Sequence, residues 1–141
     1  MSEQVTGQCL CGVVKYKVRI PEKPIYSGLC HCRDCQRYTG TAFASSLMVK
    51  NMDFDLIGNL KFYGKDTERG TFMERGFCPN CGSNVLCKSD AWGENYVLSA
   101  GTLDDPIVYK PQVNIFTRSA HPHALEAGKL RQFEGAVGKN K

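Results

Sequence analysis

The chain has 141 residues, of which 42% are apolar and 23% are charged, an ordinary balance for one soluble globular domain. No stretch approaches the ~18 apolar residues of a membrane span. The first seven residues have neither the basic start nor the apolar run of a signal peptide. We therefore expect a single domain over residues 1–141 in the cytoplasm, where reduced cysteines favour metal binding over disulfides.

The formal charge of +4 counts every cysteine as neutral. If seven thiolates held two Zn²⁺ ions, the sites would add three negative charges and leave the chain nearly neutral. Lysine and arginine are also spread along the chain, without the basic stripe typical of nucleic-acid-binding proteins. Composition therefore argues against a nucleic-acid partner and against a membrane.

The first half of the chain predicts short strands. Apolar and polar residues alternate over 14–20, which predicts a half-buried strand that Pro21 ends. We predict a second strand over 25–32 and a short helical turn over 34–38, which Gly40 ends.

The middle of the chain continues this pattern. We predict strands over 42–50, 54–57 and 60–63, with Gly58 and Asn59 as the hairpin turn between the last two. Further short strands are predicted over 71–78, 83–88, 96–100 and 113–116. Turn residues recur and no long amphipathic helix is present, so we predict a mainly β fold of folded-over, zinc-bound antiparallel sheets with few short helical turns.

The tail over 119–141 is polar and contains glycine. His121 and His123 flank Pro122, and each is a possible metal ligand. We expect both to be solvent-facing loop residues, because the proline fixes a turn and no acidic or cysteine partner is adjacent.

Seven of the eight cysteines fall into three clusters, Cys9-x-Cys11, Cys30-x-Cys32-x-x-Cys35 and Cys78-x-x-Cys81. Thiolates packed this closely repel one another unless a cation lies between them. Zn²⁺ suits sulfur ligands and a tetrahedral arrangement. The spacing of Cys78 and Cys81, followed by Gly82, is that of a zinc knuckle, which supplies two ligands and needs two more.

The economical partition gives the knuckle Cys9 and Cys11, which would face the same side of an extended strand. One closed site then contains Cys9, Cys11, Cys78 and Cys81, and one open site contains Cys30, Cys32 and Cys35. Three protein ligands leave a fourth position for water or substrate, as in catalytic zinc sites. The rival partition pairs the knuckle with two of the central cysteines and leaves Cys9 and Cys11 without a partner.

Two further residues lie among these clusters. Cys87 sits in an apolar run and fits a buried core cysteine. His31 lies between two expected ligands, and an alternating backbone would turn it to the opposite face, so we expect it not to be a ligand.

An open zinc ion can act as a Lewis acid on a carbonyl oxygen or bind and deprotonate a thiol. Arg33 and Arg37 flank Cys35 and could attract the carboxylates of an anionic substrate, and Gln36 and Thr39 could orient it. The competing interpretation of both arginines is solvated surface charge.

Two other functions compete with an enzyme. A non-catalytic zinc module would bind protein or nucleic acid and would not need an open fourth position. A thiol or metal sensor would use the three central thiolates, which become oxidisable once the metal leaves.

Three segments carry a family resemblance. They are Gly7-Gln8-Cys9-Leu10-Cys11-Gly12-Val13-Val14-Lys15-Tyr16, Cys30-His31-Cys32-Arg33-Asp34-Cys35-Gln36-Arg37-Tyr38-Thr39-Gly40 and Phe77-Cys78-Pro79-Asn80-Cys81-Gly82-Ser83. In order and spacing, over residues 7–117, the chain resembles the glutathione-dependent formaldehyde-activating enzyme family, which includes the centromere protein V branch.

The resemblance implies a mainly β fold with two zinc ions per chain. Because three thiolates give less binding energy than four, we expect the second ion to be lost more easily. Cys9, Cys11, Cys78 and Cys81 would hold the structural ion, and Cys30, Cys32 and Cys35 the catalytic one. The family's reaction joins glutathione and formaldehyde into S-hydroxymethylglutathione, and its members are classed as carbon–sulfur lyases. The implied partner is therefore a small thiol such as glutathione, whose carboxylates Arg33 and Arg37 would attract and which Gln36 and Thr39 would orient.

Overall fold

Strands make up most of the regular structure in the computed structural model, which describes residues 3–137. The strands are β1 (Glu3–Gln8), β2 (Lys15–Ile20), β3 (Ser27–Cys30), β4 (Ala44–Lys50), β5 (Phe54–Ile57), β6 (Lys61–Asp66), β7 (Phe72–Phe77), β8 (Asn84–Ser89), β9 (Asn95–Ser99) and β10 (Val113–Ile115). The α-helix α1 is Arg33–Thr39, and short 3₁₀ segments span Asn51–Asp53, Ala100–Thr102, Pro106–Val108, Thr117–Ser119 and Pro122–Lys129. The predicted mainly β fold class is confirmed.

The strands form two sheets. The small sheet has the order β1-β2-β5 and is antiparallel throughout. The large sheet has the order β10-β3-β4-β9-β8-β7-β6, and every neighbouring pair is antiparallel except β10 and β3. Helix α1 and strand β3 are consecutive, so the three central cysteines lie where the large sheet meets the helix.

The two sheets share one apolar core. Along β2 the buried side chains alternate with exposed ones, as its sequence predicts. The buried side chains of β2 belong to the same cluster as those of the large sheet, a cluster that includes Val14, Tyr16, Val18, Leu47, Val49, Val85 and Leu98. Burying a side chain of this kind stabilises the fold by about 1.5–3 kcal/mol. The position of β1 over this core depends on Gly7, because a Cβ there would lie 2.2 Å from the ring of Tyr16.

The predicted hairpin between 54–57 and 60–63 is wrong. β5 pairs with β2 in the small sheet, whereas β6 pairs with β7 in the large sheet. Gly58 has a φ of +95° and lies against the backbone of Val13, where a Cβ would come within 2.7 Å of the carbonyl oxygen. The glycine therefore lets the chain pass close to another loop and cross between sheets, which a turn signal alone does not distinguish from a hairpin.

The ends of the chain and of some strands also differ from expectation. The strand predicted over 25–32 ends at Cys30, because Cys32 already caps α1. His123, expected in a loop, lies in the 3₁₀ segment Pro122–Lys129, and residues 138–141 of the tail lie outside the described range. No helix within residues 3–137 is long and apolar enough to cross a membrane.

Candidate metal centres and thiol site

The first sulfur group is built by two similar tight turns. In one, the amide of Cys9 donates to the carbonyl of Val14, and the amide of Val14 donates to Cys9 Sγ at 3.3 Å. In the other, the amide of Cys78 donates to the carbonyl of Ser83, and the amide of Cys81 donates to Cys78 Sγ at 3.5 Å. Each turn thus aims backbone N–H groups at sulfur, an arrangement that stabilises thiolates.

The expectation that Cys9 and Cys11 lie on an extended strand is wrong. Strand β1 ends at Gln8, and both cysteines lie in the turn that follows. Gly12 supports this turn with a φ of +81° and donates its amide to the carbonyl of Cys9. The turn brings the two sulfurs to the same side by curvature, and their separation is 3.6 Å.

The four sulfur atoms of this group lie within 4.8 Å of one another. Cys11 Sγ and Cys78 Sγ are 3.8 Å apart, close to the edge of about 3.8 Å expected for a tetrahedron with Zn–S bonds of ~2.3 Å. Asn80 Nδ2 donates to Cys11 Sγ, and Ser83 Oγ beside Cys81 Sγ lowers the pKa of that thiol to about 5. The group Cys9, Cys11, Cys78 and Cys81 can therefore hold a metal ion, and its donor set fits zinc.

The second sulfur group lies at the junction of β3 and α1. Cys30 is the last residue of β3, Cys32 is the N-cap of α1, and Cys35 is in the first turn of that helix. Cys35 Sγ lies 3.4 Å from Cys30 Sγ, and the amide of Cys35 donates to Cys32 Sγ at 3.2 Å. All three sulfurs lie within 4.8 Å of one another, and this group too can hold a metal ion.

The three thiols of this group have different acidities. Hydrogen bonds from Cys30 and Cys35, assisted by the amide of Cys35 and the positive charge of Arg75, lower the pKa of Cys32. The hydrogen bond with Cys32 raises the pKa of Cys30 to about 11, and those with Cys30 and Cys32 raise the pKa of Cys35. The geometry by itself therefore stabilises one thiolate, whereas a divalent cation at the centre would stabilise all three.

His31 is fully buried and belongs to neither sulfur group. Its Nε2 lies 2.8 Å from Asn114 Oδ1 on β10, and its ring packs 5.3 Å from that of Phe43. Within residues 3–137, neither sulfur group includes a histidine. The role of His31 in the present structure is to join β3 to β10.

Two residues near the second group, Tyr26 and Arg75, were not identified from the sequence. Within the described range, three buried side-chain nitrogen or oxygen atoms lack a hydrogen-bond partner, namely Tyr26 Oη, His31 Nδ1 and Arg75 Nε. The charge of Arg75 helps to lower the pKa of Cys32, whereas burial, together with Cys30 and Cys35 nearby, raises the pKa of Tyr26. Buried polar atoms are rarely left without a partner, so this region is a candidate for binding a further group.

Cys87 also lies near the second group. It pairs with Arg75 across β8 and β7, and it adjoins Tyr38 of α1. Burial raises the pKa of its thiol to about 12. It is only partly exposed and lies beside the site rather than in the core cluster shared by the sheets.

Arg33, Gln36 and Arg37 line a cavity of about 320 Å³ on the other side of α1 from Cys35. His121 and His123 line the same cavity, and both are exposed, as expected. The ionisable side chains that line this cavity are therefore all basic. A larger cavity of about 520 Å³ contains glutamates and lysines but no cysteine or histidine, and so it carries no comparable chemistry.

Gln36 is the buried centre of this region. Its Nε2 donates to the carbonyls of His31 at 2.7 Å and Ser119 at 3.0 Å. Its Oε1 accepts from Arg33 and from His121 Nε2. Thr39 Oγ1 donates to the carbonyl of Cys35 at 2.8 Å. These residues thus hold the helix, the tail and the cavity walls in place.

Fold and site together define a mainly β protein with one four-cysteine and one three-cysteine centre. The family description that matches is glutathione-dependent formaldehyde-activating enzyme, over residues 4–119, and the chain belongs to this family.

A solved crystal structure of a Rhodobacter sphaeroides protein, a structural-genomics target, has a similar fold. It is 23% identical in sequence, with a TM-score of 0.60, and the match covers 77% of this chain and 97% of that one. No curated protein matches the chain.

Proposed function

We propose that this protein is a zinc-dependent enzyme of the carbon–sulfur lyase type, which joins glutathione and formaldehyde into S-hydroxymethylglutathione. The observation that carries the proposal is the difference in donor number between the two centres. One centre gathers four sulfurs, and the other gathers three without a further histidine, cysteine or carboxylate of the described residues in the group. A closed set is typical of structural zinc and a three-ligand set of catalytic zinc.

The two zinc ions would be held by Cys9, Cys11, Cys78 and Cys81 and by Cys30, Cys32 and Cys35. When bound at the second centre, zinc would supply Lewis acidity toward a thiol or an aldehyde oxygen. In the reaction a C–S bond forms, the carbonyl π bond opens, and the thiol proton ends on the oxygen. No oxidant or reductant is needed, and a reducing cytoplasm would keep both the cysteines and glutathione in the required state.

The chain's own residues would position the substrate. Cys30 is buried whereas Cys32 and Cys35 are partly exposed, so access to the centre is from the helix side. Arg33 and Arg37 would bind the carboxylates of glutathione in the basic cavity, with Gln36 and Thr39 holding this wall in place. Three extended residues span about 10 Å, which matches the 10–12 Å diameter of a helix and would let the tripeptide reach both sides of α1.

The test follows adduct formation from glutathione and formaldehyde above the uncatalysed rate, together with zinc content. We expect the wild type to accelerate the reaction with two zinc ions per chain. Cys32→Ala removes one of three ligands, so it should abolish the acceleration and lower the zinc content to about one while preserving the fold. Cys87→Ala is the matched control and should keep both ions. Fully loaded wild type with no rate above background would refute the assignment.

A further inference from the structure

Arg75 is a charged residue in an unusual position. It lies in β7 with only 5% of its surface exposed, and its Nε has no hydrogen-bond partner. Arginine is rarely buried without a paired charge, because desolvating an unpaired cation is costly. The position therefore requires a negative charge that the side chains bonded around it do not supply.

The guanidinium lies under the face of α1 that carries the cysteines. Its carbon is 5.7 Å from the ring centroid of Tyr38, which follows Cys35 by three residues and so shares its helix face. Tyr38 Oη donates to the carbonyl of Gly76 at 2.8 Å, which fixes the helix over this strand. Across the sheet, Arg75 is paired with Cys87.

Asp34 lies near the same face of α1, but it already forms an ion pair with Lys65 at 2.8 Å. The remaining orphan atoms, on Tyr26 and His31, belong to side chains that do not carry a fixed positive charge. Within residues 3–137, Arg75 is thus the buried side chain with a fixed charge, and its charge acts on Cys32 of the three-sulfur group.

Charge balance indicates what this cation is for. Zn²⁺ with three thiolates carries one net negative charge, and a thiolate as fourth ligand would raise this to two. Such accumulation in a partly buried site is unfavourable unless a nearby positive charge offsets it. A neutral fourth ligand adds no charge and needs no such compensation.

We propose that Arg75 is a specificity-determining residue that favours an anionic thiolate over a neutral molecule as the fourth ligand of the three-cysteine centre. This role rests on the proposed function, because it assumes a metal ion held by Cys30, Cys32 and Cys35. It extends that function by assigning the preference for thiol substrates to a residue on a different element, β7, that does not itself bind the metal.

The experiment measures ligand binding without turnover. Protein is loaded with zinc at the four-cysteine centre and Co²⁺ at the three-cysteine centre, and its visible spectrum is followed during titration with 2-mercaptoethanol or imidazole. The four-cysteine centre has no open position, so spectral changes report the other one. The uncharged tail of 2-mercaptoethanol removes any contribution from carboxylate binding at Arg33 and Arg37.

We expect Arg75→Met to weaken 2-mercaptoethanol binding at least about tenfold and to change imidazole binding less than about twofold. Arg75→Lys keeps the charge and should remain within about threefold of the wild type for both ligands. Lys88→Met is the matched control, because Lys88 is the next residue after Cys87 on β8 and so points to the opposite face of the sheet. It should bind both ligands as the wild type does.

Equal thiol affinities of wild type and Arg75→Met, or parallel losses for thiol and imidazole, would overturn the role of Arg75 and leave the proposed function intact. A loss in Arg75→Lys as large as in Arg75→Met would also overturn it, since shape rather than charge would then matter. If Arg75→Met does not fold, Arg75→Lys is compared with the wild type alone, and a loss of thiol affinity of about tenfold or more in Arg75→Lys would overturn the role. Failure of the wild type itself to bind the thiol would contradict the proposed function and this role with it.

Discussion

At the scale of single residues, the two sides of α1 separate two tasks. Cys32 and Cys35 belong to the three-sulfur group on one side of the helix, whereas Arg33 and Arg37 line the basic cavity on the other side. Gln36 is bonded to both, through the carbonyl of His31 and through the side chain of Arg33. Under the proposed function, the helix would therefore couple metal binding on one side to binding of an anionic substrate on the other.

If the cavity binds the carboxylates of glutathione, its arginines should affect that substrate alone. We expect Arg33→Met and Arg37→Met each to raise KM for glutathione about threefold to tenfold, because each removes a charge-assisted contact at an exposed site. The kcat should change little, and rates with 2-mercaptoethanol as the thiol should be unchanged. Steady-state kinetics with both thiols provides the measurement.

Arg131→Met is the control for this pair. Arg131 is exposed and lies 4.9 Å from the ring of Phe133, away from the cavity lining, so its loss removes the same charge without touching the cavity. An unchanged KM for glutathione in both cavity variants, or an equal rise in Arg131→Met, would show that the arginines are ordinary surface charges.

How far the sequence predicts the site depends on how local the signal is. The three local cysteine clusters follow from their spacing, because one or two intervening residues decide which sulfurs can face one ion. Spacing does not decide which two clusters combine, and the four-cysteine set was preferred because it leaves no cysteine pair without a partner. The burial of Arg75 and Tyr26 depends on which strands and helix pack over them, and no pattern within 72–77 distinguishes a buried arginine from an exposed one. The candidate metal-binding cysteines can therefore be found from the sequence, whereas their electrostatic surroundings cannot.

At the scale of elements, the sequence predicts the positions of individual strands better than it predicts which strands pair. Period-two alternation locates β2 well, because one face of a strand is buried whatever its neighbours are. The partner of β5 is set by the close approach of Gly58 to Val13, a contact between segments 45 residues apart in the chain. The short helix was readable as well, since Gly40 marks its end.

Gly40 gives a test of how firmly α1 presents its cysteines. It ends the helix with a φ of +73°, and a Cβ there would meet nothing within 4 Å, so any cost of a side chain arises from the backbone alone. We expect Gly40→Ala to lower the free energy of unfolding by about 1 kcal/mol. Denaturant unfolding of the zinc-loaded protein measures this.

Gly101→Ala provides the comparison, because that glycine also has open space around it but does not have a positive φ. It should be neutral or slightly stabilising, since alanine restricts the unfolded chain. Equal losses in the two variants would mean that the left-handed cap contributes nothing special to the helix.

At the scale of the whole molecule, the four-cysteine centre brings together segments that are far apart in the sequence. It joins the turn after β1 to the turn between β7 and β8, two segments far apart in the sequence. The three-cysteine centre spans only from Cys30 to Cys35 and joins one strand to the next helix. Metal at the first centre therefore stabilises the global fold, whereas metal at the second restrains a local junction.

This difference predicts the order in which a chelator removes the two zinc ions. The three-cysteine centre has fewer ligands and two partly exposed cysteines, so about one zinc per chain should leave in a fast phase with the far-ultraviolet circular dichroism unchanged. The zinc of the four-cysteine centre should leave slowly and together with unfolding, because Cys9 and Cys78 are buried and their ion closes a long loop.

Two variants separate the centres. Cys32→Ala should show only the slow phase, and Cys78→Ser should have a lower melting temperature and soluble yield than Cys32→Ala. Two results would contradict this division between a structural and an exchangeable centre. One is loss of structure together with the zinc of the three-cysteine centre, and the other is an unchanged melting temperature in Cys78→Ser.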